Sequence, residues 1–383
     1  MATFPETYRA IRRSGPLPTE GNPQTYKITT EKTLPDGGLA PHEVLLKIIA
    51  VSLNFRDALM LHGQYPPGST PDGIAGSDCV ALVAAIGSSV TKFKVGDRVS
   101  PTFDPGDLHG DHPINLKAGL GAHIDGVLRE YAVYKEEALV RVPKHLSWEE
   151  AATIGCAALT AWNALSFPAL YSSSSSPKTV LIQGTGGVST FALLFCLATP
   201  NITPIITSSS DGKLASLRDK LSASGGPGLR GEFKSYNYRT HPDQASKVRE
   251  LTEGKGADVI VNNSGPASIP ADIETLSGRN GQISLVGSLE GGYKAGWTED
   301  PAALMGKLMM KVGRIQGVAV GTKDDLEALN RFLEDRGVRL GALVDDGRKK
   351  VWRLEESQEA VEYLWRGGHL GKVVIRVADD DDF

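Results

Sequence analysis

Two rhythms of apolar and polar positions divide this chain of 383 residues. Up to about residue 150, β-branched or apolar runs at 44–51, 79–86 and 131–142 are bounded by Gly, Pro and Asp, which predicts strands separated by turns. Val95-Gly96-Asp97-Arg98-Val99 is a turn between two strand-like pieces. Residues 102–126, rich in Gly, Asp and His, predict a long loop. From about 178 the rhythm changes. Strand-like runs at 179–183, 204–208, 259–262, 282–287 and 314–320 alternate with helix-like stretches at 190–198, 211–222, 243–253, 267–276, 301–311 and 323–335. Such alternation predicts a parallel sheet covered on both faces. Residues 348–377 return to mixed α and β, with a last strand at 372–377. Ser172–Ser176 is a low-complexity loop, 222–231 a surface insertion, and 379–382 an acidic, disordered tail. No internal repeat is visible.

The join between the first strand and helix of the second rhythm carries the chemistry. Residues 180–189 read VLIQGTGGVS: an apolar run, a Gly-rich turn, then a helix. This is how a doubly wound fold holds a dinucleotide pyrophosphate. Gly184 permits the tight turn, Gly186 lets backbone approach the phosphates, and Thr185, Gly187 and Val188 offer N–H groups at the helix start. The third glycine of the fingerprint is replaced by Ser189.

Composition narrows the class. The chain is 40% hydrophobic and 22% charged, an ordinary globular balance, and its length suggests two or three domains. A net charge of −4 gives no argument for nucleic acid or a membrane surface. Cys79, Cys156 and Cys196 are scattered and odd in number, so no disulfide framework is expected. With no apolar leader in MATFPETYRAIRRSG, the chain reads as soluble, intracellular and cytoplasmic.

Several segments together resemble the medium-chain dehydrogenase/reductase superfamily. They are Ser52-Leu53-Asn54-Phe55-Arg56-Asp57, Gly76-Ser77-Asp78, the run from Ile86-Gly87 to Gly96-Asp97-Arg98-Val99, Gly155-Cys156 to Thr160-Ala161-Trp162, and the Gly184 turn. The set is most similar to the zinc-independent alcohol dehydrogenase-like and quinone oxidoreductase-like branches. The resemblance implies an α/β chain of two parts. Residues 1–158, completed by 321–383, would form a GroES-like β-rich catalytic domain. Residues 159–320 would form a Rossmann domain with a doubly wound parallel sheet. It also implies an active site in the cleft between domains, walled by 61–72 and 102–126, and a homodimer paired through 314–320.

Zinc-bearing relatives hold their metal with a Cys, a His and a second Cys. The matching positions here are Asn54, Ser77 and Cys156, and the acid after the His is Asp78. A catalytic zinc needs three protein ligands, so no zinc is expected. The four-cysteine lobe of those relatives is absent as well. Asn54 stands where the first ligand would be, and its amide can donate to a carbonyl oxygen. Thr160 matches a position packed on the nicotinamide. These two are the candidate catalytic positions. Cys156 reads as a small buried hydrophobe, Asp57 as a structural carboxylate and Tyr131 as a core aromatic. His109, Asp111, His112, His123 and Asp125 read as members of a solvated loop.

The cofactor is read at the end of the second Rossmann strand, where an NAD site would place a carboxylate. Here stand Ser208, Ser209 and Ser210, and the next acid, Asp211, is expected to cap the following helix. These hydroxyls with Lys213 suit a 2′-phosphate, and Tyr238 matches a position that the resemblance places over it, so NADP(H) is expected. Asn263, Ser264, Gly287 and Ser288 end the fourth and fifth strands and are expected to touch the cofactor. Lys372 resembles a position near the cofactor phosphates, or is a solvated strand lysine. The expected function is hydride transfer between NADPH and a carbonyl, enone or quinone of small size. The competing expectation is a non-catalytic NADPH-binding protein built on the same fold.

Overall fold

The computed structural model describes residues 4–19, 21–65, 68–113, 115, 117–167, 177–223, 229, 232–287, 300–345 and 351–379. In chain order come strands β1 (Thr7–Ser14), β2 (Thr25–Lys32) and β3 (Glu43–Ser52), helix α1 (Phe55–Leu61), strands β4 (Asp78–Ile86), β5 (Arg98–Pro101), β6 (Tyr131–Lys135) and β7 (Leu139–Arg141), and helix α2 (Trp148–Ala151). Next are α3 (Leu159–Ala164), β8 (Lys178–Ile182), α4 (Gly187–Leu197), β9 (Ile202–Ser208), α5 (Asp211–Ala223), β10 (Lys234–Asn237) and α6 (Gln244–Leu251). Then follow β11 (Val259–Asn262), α7 (Ile269–Thr275), β12 (Gln282–Leu285), α8 (Pro301–Lys311), β13 (Arg314–Gly317), α9 (Lys323–Arg336), β14 (Trp352–Arg353), α10 (Ser357–Trp365) and β15 (Val374–Arg376).

The chain divides into two compact units. Met1–Leu159, Gly321–Asp335 and Arg339–Phe383 form the first; Thr160–Val320 and Arg336–Val338 form the second. The first unit is built on β3. Its sequence, EVLLKIIAVS, is a run of apolar and β-branched residues buried at nine of its ten positions, as a strand covered on both faces must be. One side of β3 pairs antiparallel with β4 along almost its whole length. The other side is shared: β6 takes Glu43–Lys47 and β15 takes Ala50–Ser52. The C-terminal strand is thereby laid beside the residues that lead into α1. The core around these strands holds Leu46, Ile48, Val51, Leu53 and Leu61 with Val361 and Ile375.

The second unit is a six-stranded parallel sheet in the order β10-β9-β8-β11-β12-β13. Numbered within the unit that is 3-2-1-4-5-6, the order of the dinucleotide-binding doubly wound fold. Its switch point falls between β8 and β11, beside the Gly184 turn. Every residue of α4 from Ser189 to Leu197 is buried, which fits a helix apolar on all sides. No helix among the described residues is long and apolar enough to cross a membrane.

Several expectations are corrected. The run 131–142 is two strands, because Glu136 interrupts it in a 3-10 turn and accepts the backbone N–H groups of Thr91 and Lys92 at 3.1 and 3.0 Å. The run 314–320 pairs only to Gly317. Strands β1, β2 and β10 were not anticipated. The expectations for Ser172–Ser176, for most of 222–231, for Ser288 and for the tail beyond Asp379 lie outside the described residues.

Candidate functional site

In the second unit the Gly-rich turn has the geometry its sequence implies. Gly184 lies at φ +78°, a left-handed backbone that favours glycine, and its N–H donates to Thr207 Oγ1 at 3.2 Å. Gly184 to Val188 are partly exposed. Gly186 is the N-cap of α4 with no side-chain cap, so the N–H groups of Gly187, Val188 and Ser189 open the helix unmasked by one. A Cβ placed on Gly186 would meet nothing within 4 Å. The space beside this backbone is open to a ligand.

Ser189 explains how the fold manages without the third glycine. It is buried, and its hydroxyl donates to Gln183 O at 2.8 Å while accepting from Asn263 Nδ2 at 2.9 Å. Asn263 also donates to Gln183 O at 3.2 Å. Hydrogen bonds tie helix to strand where close Gly packing otherwise would. A deeper hub supports them. Asp272, fully buried, accepts from Gln183 Nε2 at 2.7 Å, Gln244 Nε2 at 2.7 Å, Asn262 Nδ2 at 2.6 Å and Ser268 Oγ at 3.2 Å. Burial pushes its carboxyl up to about 6, against the pull of these donors. The sequence reading missed this hub. The Gln183, Asn262 and Asp272 side chains are scattered in sequence and meet only through the sheet.

At the end of β9 the serines and Tyr238 come together. Tyr238 N donates to Ser208 O at 3.0 Å, and the Tyr238 side chain is 39% exposed. Ser210 Oγ accepts from Lys213 N at 3.3 Å, so Ser210, not Asp211, occupies the capping place of α5. Asp211 is instead held by Asn237 Nδ2 at 3.0 Å. Ser209 and Lys213 are half-buried beside them. Ser264 and Gly287 follow β11 and β12 and are also half-buried, and a Cβ on Gly287 would meet nothing within 4 Å. Thr160 is buried in the first turn of α3.

In the first unit, α1, the start of β4 and the residues before β15 converge on one buried polar cluster. Asn54 precedes α1, and its backbone N–H donates to Asp57 Oδ2 at 2.8 Å, as a carboxylate that closes the start of a helix does. Asn54 Nδ2 donates to Ser77 Oγ at 3.3 Å and to Asp78 Oδ2 at 3.1 Å. Its Oδ1 accepts a short bond from Lys372 Nζ. Both amide hydrogens and the amide oxygen of Asn54 are therefore engaged. Lys372 also donates to Leu53 O at 2.8 Å and lies 3.6 Å from Asp78 Oδ2. It is 3% exposed, so the solvated alternative for Lys372 does not hold. Its ammonium is committed to this cluster.

Burial sets the electrostatics here. It pushes the Asp78 carboxyl up to about 6, although Lys372 and Asn54 pull the other way, and it raises Asp57 likewise. Gly155 makes room for Asp78: a Cβ there would stand 3.0 Å from Asp78 Oδ1. Cys156 is buried and its thiol is pushed up to about 12 by burial, the behaviour of an inert thiol. Tyr131 is partly buried against Tyr8, Ala10 and Ile74, and exposed His109 pairs with Asp324 at 2.8 Å on the surface.

Residues 40–144 match the alcohol dehydrogenase GroES-like domain, and 187–335 match the zinc-binding dehydrogenase domain. A zinc-type alcohol dehydrogenase-like protein of Schizosaccharomyces pombe is 35% identical over 342 residues, covering 88% of this chain and 92% of its own. A quinone oxidoreductase of Lama guanicoe is 25% identical over 383 residues, covering 98% of this chain and 99% of its own. A crystal structure from Sinorhizobium meliloti 1021, provisionally assigned as an alcohol dehydrogenase, superposes with a TM-score of 0.80 at 32% identity and covers 98% of this chain and 100% of its own.

Proposed function

This chain belongs to the medium-chain dehydrogenase/reductase superfamily, and from that premise we propose that it is a zinc-independent, NADP(H)-dependent reductase of a carbonyl, enone or quinone. The family makes it an oxidoreductase that uses a nicotinamide cofactor. The choice of NADP(H), the missing metal and the acceptor are the parts proposed.

The donor set at the zinc positions carries the metal-free reading. It offers an amide with all its hydrogen-bonding atoms engaged, a hydroxyl and one thiol held protonated by burial. Zinc requires thiolate, imidazole or carboxylate at three positions, so these residues do not fit it.

The NADP(H) reading rests on the end of β9. A 2′-phosphate would meet Ser208, Ser209, Ser210, Lys213 and Tyr238, with Gly184 to Val188 facing the pyrophosphate. Thr160, Asn263, Ser264 and Gly287 would line the remainder. Asp211 works against this charge balance, and Asn237 holds its carboxylate.

When bound, the cofactor supplies a hydride at nicotinamide C4. The protein must then meet negative charge growing on the acceptor oxygen. Asn54 has no amide hydrogen left for this. Among the described residues the Ser77 hydroxyl has a single partner, Asn54, from which it accepts, so its own hydrogen is available to donate. We assign Asn54 and Lys372 to orienting the cluster and Ser77 or water to the acceptor oxygen. Two copies pairing through the open edge of β13 complete the proposal.

NADPH oxidation with a panel of ketones, enones and quinones tests the assignment. Turnover of at least one class is expected. NADPH binding with no turnover of any class would favour the non-catalytic alternative.

A further inference from the structure

Among the described residues no carboxylate forms an ion pair with Arg56, and Asp57 acts on it only at longer range. Its guanidinium lies 5.1 Å from the centre of the Tyr65 ring and 5.0 Å from that of Phe103. Nη1 donates to Leu120 O at 2.8 Å. Nε and Nη2 are enclosed and have no hydrogen-bond partner among the described residues. Folded proteins leave few buried donors unpaired, and a charged one is the costliest to leave so.

Which donors are open matters as much as their number. The Nε and Nη2 hydrogens of a guanidinium point the same way, side by side. That edge matches the two oxygens of one carboxylate. The third nitrogen, facing elsewhere, is the one already bound to backbone. With two aromatic rings packed near the guanidinium, this edge is what remains for hydrogen-bonded recognition.

The other charged groups nearby have contacts of their own. Arg13, Arg56 and Lys372 act on Asp57, Arg56 and Lys372 also on Asp78, and Arg13 also on Asp125. Arg13 donates to the carbonyl oxygens of Thr70, Gly121 and Ala122. Asp57 Oδ2 is held by Asn54 N, and Asp78 lies with Lys372 and Asn54. Tyr65 and Phe103 both lie outside helices and strands.

We propose that Arg56 is the receptor for a carboxylate on the substrate, gripped through its Nε–Nη2 edge. The acceptor is thereby a carbonyl or enone acid and not a neutral ketone. This rests on the reductase reading above and narrows its substrate class.

The test compares 4-oxo-4-phenylbut-2-enoate with its methyl ester at saturating NADPH. The wild type should prefer the acid in kcat/KM by about ten-fold or more, mainly through KM. Arg56→Gln should bring the acid-to-ester ratio close to one, and Arg56→Lys should restore part of it. Equal treatment of acid and ester by the wild type overturns the proposal, as does a preference that survives in Arg56→Gln. If neither compound is turned over, the panel described above decides the reductase reading. Calorimetry of 3-benzoylpropionate against its primary amide on the wild-type NADPH complex then decides for Arg56. Tighter binding of the carboxylate supports it, and equal binding refutes it. The same wild-type comparison serves if Arg56→Gln does not fold.

Discussion

Lys372→Met should be among the most destabilising single changes in the first unit. It removes an ammonium from between Asn54 Oδ1, Leu53 O and Asp78 Oδ2, and takes from Asp78, fully buried, its ion-pair partner among the described residues. Breaking a buried ion pair from one side costs about 3–5 kcal/mol. The loss has a pH signature. Asp78 already holds its proton up to about 6 in the folded chain, above its ordinary 3.8. Without Lys372 its carboxyl rises further, and each added unit costs about 1.4 kcal/mol wherever the unfolded chain is ionised. The deficit should therefore be small near pH 5, where folded Asp78 can be protonated, and grow toward pH 8. Urea denaturation at a series of pH values measures it. Lys372→Met with Asp78→Asn should recover a substantial part of the stability, because no charge is then stranded. A deficit under about 1 kcal/mol at pH 8, or one that shrinks as pH rises, would refute the reasoning.

Three more outcomes follow. Gly186→Ala should leave stability within about 0.5 kcal/mol while weakening NADPH binding. Gly184→Ala should cost about 1–2 kcal/mol as well, since only Gly184 sits at φ +78°; denaturation and cofactor titration separate the two. NADPH should bind more tightly than NADH by about ten-fold or more. That preference should fall in a Lys213→Ala, Tyr238→Phe variant, read by fluorescence titration of both cofactors. Asp272, pushed up to about 6 from its ordinary 3.8, holds a proton more firmly folded than unfolded, so its contribution to stability declines as pH rises through about 4 to 6. Asp272→Asn should lower stability at pH 7 by about 2 kcal/mol and flatten that decline, as measured by denaturation across the window.

The parallel sheet was legible because its core strands are short apolar runs that end in Gly, Asn or Ser, a local signal. β10 escaped because KSYN buries only Tyr236 and Asn237. β1 and β2 escaped for a different reason. Their pairing hides Arg13, a charged residue at 2% exposure whose donors find backbone carbonyls, and β2 is exposed or half-exposed throughout. The turn at Gly184 and the serines of β9 could be read because a few adjacent residues define each. The buried cluster could not. Lys372 meets Asn54 across 318 positions, and only the pairing of β15 with β3 brings them together. Asn54 was visible as a polar residue in place of a metal ligand. That its amide is already engaged depends on partners that spacing does not reveal. Arg56 stood in plain sight in Asn54-Phe55-Arg56-Asp57. Its open edge is a property of what does not reach it.

Transfer of label in a single turnover tests the central claim most directly. NADPH carrying deuterium on one face of nicotinamide C4 is mixed with excess protein and a ketone or enone acceptor, whose product keeps a transferred hydride on carbon. Direct hydride transfer predicts that deuterium from one face, and not from the other, appears on carbon in the product, with none released to water. NADPH bound tightly with its label retained, or label lost to solvent, would contradict the account.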